Sequence, residues 1–129
     1  NENNTISEIF KKKGESGFRE IEKNISINFL KLENKIISLG GGGFINKLIR
    51  KQCSKNCSTF WLNWKSDVLI KRITNSKKRP IAMKLNSFQM RKLINERSKI
   101  YILSDYKINC DKLNKDKIVQ KIIKLYESQ

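Results

Sequence analysis

The sequence has no histidine, one proline (Pro80) and three cysteines (Cys53, Cys57 and Cys110). Without histidine a zinc site would fall to cysteine, and a C-x3-C pair with no further ligand nearby is a poor zinc signature, so no metal ligand is expected here. Odd, sparse cysteines suit a reducing compartment, which makes the cytoplasm the expected location. Cys110, in an apolar-flanked strand pattern, reads as core. No apolar run approaches the ~18 residues of a membrane span, so no membrane contact is expected. The opening residues Asn1-Glu2-Asn3-Asn4-Thr5 are not a signal peptide, and the sequence does not begin on Met. Internal repeats and linkers are also lacking, so residues 1–129 read as one domain, or part of one.

Acidic residues are scarce: 12 against 28 basic, a formal charge of +16. Such a charge attracts anionic ligands and nonspecific nucleic acid. Here 22 of the basic residues are lysine, spread along the chain with abundant asparagine and isoleucine. That pattern is a compositional bias, not a stripe. It has no aromatic-interleaved basic patch and no reading helix, so no specific nucleic acid is expected. A noncatalytic nucleic-acid-binding protein remains the alternative from a different functional class.

Apolar spacing sets out the elements. Residues 6–12 read as a short helix that Gly14 breaks. A helix follows over 16–33 with one buried stripe at Phe18, Ile21, Ile25, Phe29 and Leu32. Residues 36–39 (Ile36-Ile37-Ser38-Leu39) read as a short buried strand, 40–43 as a turn, 44–51 as a helix, 54–58 as a polar connection and 59–63 as a second strand. A helix over 64–74 turns Trp64, Val68, Leu69 and Ile73 inward. A basic loop follows at about 75–85, marked by Pro80. A helix over 87–96 turns Phe88, Leu93 and Ile94 inward, 105–110 reads as a third strand, and 115–126 as a helix on Ile118, Ile122, Ile123 and Tyr126. Alternating short strands and helices predict an α/β fold with a parallel sheet.

The densest signal is the tetraglycine Gly40-Gly41-Gly42-Gly43 behind the apolar run 36–39. A strand opening into a glycine turn is where open α/β sheets bind ligands, and glycine lets the backbone come close. Arg19 and Glu22 are spaced i,i+3 and share a helix face. They form either a surface ion pair or an arginine held in orientation for an anionic substrate. Only six arginines stand among the lysines: Arg19, Arg50, Arg72, Arg79, Arg91 and Arg97. Arginine has the rigid fork that grips carboxylate and phosphate. Arg79, beside Pro80, is either a solvated loop charge or a group that offsets charge on a transferring phosphoryl. Arg72 and Arg97 stand near helix ends, where a cation also complements the dipole. The phosphate-loop pattern G-x-x-x-x-G-K-[ST] is absent.

These segments together resemble the shikimate kinase family of P-loop nucleoside monophosphate kinase-like proteins. The resemblance rests on Ile6-Ser7-Glu8-Ile9-Phe10, Gly14-Glu15-Ser16-Gly17-Phe18-Arg19-Glu20-Ile21-Glu22 and Ser38-Leu39-Gly40-Gly41-Gly42. It continues in Arg72 with Arg79-Pro80 and in Arg97-Ser98-Lys99-Ile100-Tyr101, where Lys99 replaces the usual proline. It implies a three-layer α/β/α parallel sheet of strand order 2-3-1-4-5, with the first strands, the phosphate loop and a catalytic aspartate preceding the region seen here. It further implies transfer of the γ-phosphoryl group of ATP to the 3-hydroxyl of shikimate with Mg²⁺. Arg19, Glu22, Gly40, Gly41, Gly42 and Arg97 would bind shikimate. Arg79 on a lid at about 75–85 would meet the phosphates as a catalytic residue, with Arg72 near the adenine. A monomer is expected, inactive as this chain alone. The alternative within the fold is another small-molecule kinase, such as a gluconate kinase.

Overall fold

The computed structural model describes residues 5–75 and 85–129. Arg79, Pro80 and most of the expected 75–85 loop lie outside the described residues. The chain divides into two compact units, Asn1–Cys57 and Ser58–Gln129.

The first unit opens with α1, Ile6–Phe29. Thr5 caps it: its hydroxyl accepts the Glu8 N–H at 3.3 Å, and the Glu8 carboxylate accepts the Thr5 N–H at 2.6 Å. The Thr5 hydroxyl also donates to the Glu8 carboxylate at 2.9 Å, and the two bonds that carboxylate accepts from Thr5, backbone first, hold its carboxyl below the ordinary range. The expected break is present, since Gly14 has φ 66° and ψ −172° and kinks α1 into two helical stretches. Phe10 and Phe18, on either side of it, pack at a tilt of 32° with ring centroids 4.6 Å apart. α1 ends at Phe29, short of residue 33, and the chain turns through Asn34 at φ 52°. The expected stripe is buried only in part. Phe18 and Ile21 are half-buried, whereas Ile25, Phe29 and Leu32 are exposed.

Residues 36–39 do not form a strand. They have no regular secondary structure, and no ladder pairs them among the described residues. Ile36 is fully exposed, while Ile37 and Leu39 alternate onto a core of Leu30, Ile49 and Cys53. The glycine turn follows as expected, closed by the Gly43 N–H on the Gly40 carbonyl at 2.8 Å, and runs into a 3-10 turn, Gly43–Ile45. Helix α2 therefore starts later than residue 44. It spans Lys47–Asn56 behind Asn46, whose side-chain oxygen accepts the Leu48 and Ile49 N–H groups at 2.9 and 3.3 Å. Its end takes up most of the expected polar connection.

The second unit is α/β. β1, Phe60–Asn63, and β2, Tyr106–Asn109, run parallel with Phe60 opposite Tyr106 and Asn63 opposite Asn109. A parallel pair needs a crossover; here it carries α3, Ser66–Thr74, and α4, Ser87–Tyr101. Arg91 of α4 pairs with Asp67 of α3 at 2.5 Å. Polar bonds fasten both ends of the strand pair. The Asp105 carboxylate accepts the Thr59 N–H at 2.8 Å, and Asp111 accepts the Lys65 N–H at 2.7 Å. α5, Lys115–Glu127, covers one face, and Ile108, Cys110 and Ile118 form the core with Phe60, Trp64, Leu113, Ile122 and Leu125 around them. Cys110 is thus core, as expected. Phe88 is not inward: it is 77% exposed, and Met90, two positions on, is buried instead. Ile123 and Tyr126 are likewise exposed. No described helix is long and apolar enough to cross a membrane.

Candidate functional site

In the first unit the structure brings together Arg19, Glu22 and the glycine turn. An Arg19 Nη1 donates to Glu22 Oε2 at 2.5 Å. The Arg19 Nη2 lies 3.7 Å from Glu15 Oε1, one turn earlier, and the Arg19 Cζ lies 5.4 Å from the Phe18 ring centroid. The Arg19 side chain is 30% exposed and that of Glu22 15%, so this is not a fully solvated i,i+3 pair. Partial desolvation strengthens such a bond.

The glycines close on the pair. A Cβ placed on Gly40 would stand 2.8 Å from Glu22 Oε1, and one on Gly42 would stand 2.5 Å from Arg19 Cζ. Gly42 has an ordinary φ of −102°, so a Cβ there would meet no backbone strain, only the movable Arg19 guanidinium, which it would push from its place. Gly41 lies exposed in the turn between them. Among the described residues, one fork N–H of Arg19 is at hydrogen-bond distance from a partner, out of five donors on a guanidinium. The arrangement can therefore present an oriented, partly desolvated cation beside approachable backbone to a carboxylate or phosphate. Glu15 escaped the sequence reading, although its i,i+4 spacing to Arg19 was a signal for it.

In the second unit, Arg72 stands on α3 with its Cζ 3.9 Å over the Trp64 ring, and the residue is exposed. Trp64, expected as an inward residue, is also the platform of Arg72. Arg97 does not end its helix. It lies inside α4, which runs on to Tyr101, and is half-buried with no hydrogen bond or ion pair among the described residues. Arg79 lies outside the described residues. No cluster of three His, Cys, Asp or Glu able to hold a metal exists among the described residues. The cysteines offer no nucleophile: Cys53 and Cys110 are buried, and burial pushes the Cys57 and Cys110 thiols up.

Comparison with known proteins gives a consistent answer. The family model described as "Shikimate kinase" matches residues 1–127. A shikimate kinase of Bartonella henselae is 36% identical over 121 residues, which are 93% of this chain and 58% of that protein. One from Bacillus subtilis is 36% identical over 129 aligned positions, 94% of this chain and 66% of that protein. Among solved structures, shikimate kinase from Bacteroides thetaiotaomicron superposes with a TM-score of 0.79 at 30% identity, covering 95% of this chain and 75% of that one. Shikimate kinase from Acinetobacter baumannii in complex with shikimate gives 0.87 at 24% identity, a likeness of fold, over 96% and 70%. The chain thus spans 58% of the length of the two Bartonella relatives it matches.

Proposed function

The chain belongs to the shikimate kinase family, and we propose that the whole protein transfers the γ-phosphoryl group of ATP to the 3-hydroxyl of shikimate. The observation that carries this reading is the Arg19–Glu22 pair with Gly40 and Gly42 closed on it. Shikimate carries a carboxylate and hydroxyls. Arg19 takes the carboxylate, Glu22 fixes the guanidinium and accepts from a hydroxyl, and the amides of Gly40, Gly41 and Gly42 line the approach. Arg97 supplies the second carboxylate contact. Arg72 lies at the adenine, and Arg79 meets the phosphates and offsets charge on the group in transfer.

Mg²⁺ would be held by groups other than the described side chains and would neutralise charge on the ATP phosphates when bound. In this reading β1 and β2 are the last two strands of a 2-3-1-4-5 sheet, and the protein is a cytoplasmic monomer. Residues 1–129 make up part of one domain, with the lid at about 75–85.

In P-loop kinases the phosphate loop cradles the β and γ phosphates, and its G-x-x-x-x-G-K-[ST] pattern is absent from these 129 residues. The chain alone is therefore expected to show no ATP-dependent turnover, while the whole protein phosphorylates shikimate and not gluconate. A coupled ADP-release assay on both proteins with both acids checks this. Turnover by the 129-residue chain, or preference for gluconate, would overturn the reading. Replacing Arg79 by Lys in the whole protein should lower kcat more than it raises the KM for shikimate, because the charge stays and the planar fork is lost.

A further inference from the structure

Arg50 is one of only six arginines in a lysine-rich chain, and the reading above gives it no task. It lies on α2, half-buried, and folds back over the start of its own helix. Its Nη1 donates to two main-chain carbonyls, Phe44 O at 2.8 Å and Ile45 O at 2.7 Å. Both belong to the 3-10 turn that continues the glycine run. That turn is otherwise tied by its own bonds, the Ile45 N–H to Gly42 O at 3.2 Å and the Asn46 N–H to Gly43 O at 3.0 Å.

A run of four glycines has more conformational freedom than any other tetrapeptide, so its internal bonds alone fix it weakly. Yet Gly40 and Gly42 stand so close to Glu22 and Arg19 that a Cβ on either would push those side-chain ends from their places. Something outside the run must hold it at that distance. A cation on two carbonyls is a charge-assisted tether, stronger than a bond between neutral partners.

We propose that Arg50 is a positioning residue that clamps the 3-10 turn and so holds Gly40–Gly42 against the Arg19–Glu22 pair. The inference rests on the reading of that pair as the substrate-carboxylate site. Arg50 itself touches neither substrate nor reacting atoms. Both tethers leave from one nitrogen, so a lysine Nζ with three donors can replace them, whereas methionine keeps the apolar stem and loses both.

The test uses Arg50→Met, Arg50→Lys and Asn46→Ala in the whole protein. Asn46→Ala removes the α2 cap in the same segment and leaves the carbonyl tether alone. Arg50→Met should raise the KM for shikimate about tenfold and leave the KM for ATP within about twofold. Arg50→Lys should recover most of the loss, and Asn46→Ala should lower thermal stability without raising the shikimate KM. Amide exchange of Gly43, Ile45 and Asn46 in ligand-free protein should quicken in Arg50→Met and not in Arg50→Lys.

Equal loss for both substrates, no rescue by lysine, or the same shikimate loss in Asn46→Ala would overturn the proposal. Unchanged exchange in Arg50→Met would overturn the clamp even in a protein that binds shikimate. Faster exchange in a protein that ignores shikimate would uphold the clamp and sink only the reading of the substrate.

Discussion

In the unit Asn1–Cys57 an arginine is held by what surrounds it. Arg19 has a carboxylate at 2.5 Å, a ring beside it and glycines closing over it. In the unit Ser58–Gln129 two other arginines are placed more loosely. Arg72 lies over one indole and is exposed, and Arg97 has no charged or hydrogen-bonding partner among the described residues. The difference concerns when order is imposed. Arg19 gives up its rotamer freedom on folding, whereas an unpartnered arginine gives up ~0.5–1.5 kcal/mol of it when a ligand arrives. A pre-organised group returns more of its interaction energy as affinity. The proposed substrate contact of Arg19 should therefore outweigh that of Arg97.

The sharpest way to break that comparison is truncation. In the whole protein, Arg19→Ala should weaken shikimate binding about 100-fold, near 3 kcal/mol, because it strips a charged partner and leaves Glu22 part-buried and unpaired. Arg97→Ala should cost about tenfold or less. Nucleotide affinity should hardly change in either. Calorimetric titration of each ligand decides; equal losses for Arg19 and Arg97 would mean that pre-organisation confers nothing here, and equal losses for both ligands would make Arg19 structural.

Next in size is Gly42→Ala. The added Cβ would meet the Arg19 guanidinium, the movable end of a side chain, so the backbone can stay while the guanidinium leaves its place. Shikimate KM should rise by about tenfold, since a misplaced contact of about 1 Å costs this order or more. The melting temperature should move little. A large fall in melting temperature with unchanged KM would show the glycine to be there for folding.

Much of this was legible because it is local. The i,i+3 spacing of Arg19 and Glu22, the break at Gly14 and the turn at Gly40–Gly43 depend on neighbours in sequence, and all three appear in the structure. The two strands of the second unit were also legible to within a residue or so, from apolar runs such as Phe60-Trp61-Leu62. What failed depends on distant partners. Residues 36–39 have the apolar content of a strand, but a strand exists only by pairing, and none pairs with them among the described residues. Phe88 fits an inward pattern, yet Met90 takes the buried place, because the face an element buries is set by what packs on it. The Arg50 tether was invisible for the same reason: nothing in spacing tells a guanidinium to turn back onto carbonyls five and six residues earlier.

A smaller effect separates the units by backbone strain. The two positive-φ residues among those described, Gly14 and Asn34, both lie in the first unit. At Gly14, φ 66° with ψ −172° is open to glycine and strained for an L-residue, although a Cβ there would meet nothing within 4 Å. Gly14→Ala should therefore destabilise by ~1–2 kcal/mol through conformation alone. Urea unfolding of the two proteins measures it. A gain in stability would mean that α1 straightens through residue 14 and that the Phe10–Phe18 contact does not need the kink.

The smallest expected effect is the acid response of the strand ends in the second unit. The Asp105 carboxylate accepts from the Thr59 hydroxyl at 2.5 Å and from the Thr59 N–H at 2.8 Å, and these bonds, the hydroxyl first, hold its carboxyl below the ordinary range. A carboxyl with a depressed folded value contributes stability that is whole above its unfolded value, about 4, and that is lost as pH falls through the folded value. Exposure to solvent keeps the contribution to ~0.5–1 kcal/mol, at the low end for charge-assisted bonds. Asp105→Ala should thus be slightly less stable than the parent at pH 6.5, and the gap should narrow at pH 3, below the unfolded value, as the parent begins to lose its carboxylate. In the first unit, the Glu8→Ala gap should change with pH in the same direction, since the Thr5 bonds also lower the Glu8 carboxyl. Urea midpoints at the two pH values test both. A gap for Asp105→Ala that widens in acid would show that the strand ends do not depend on the ionised carboxylate, and a response in Glu8→Ala alone would place the acid-sensitive polar staple in the first unit only.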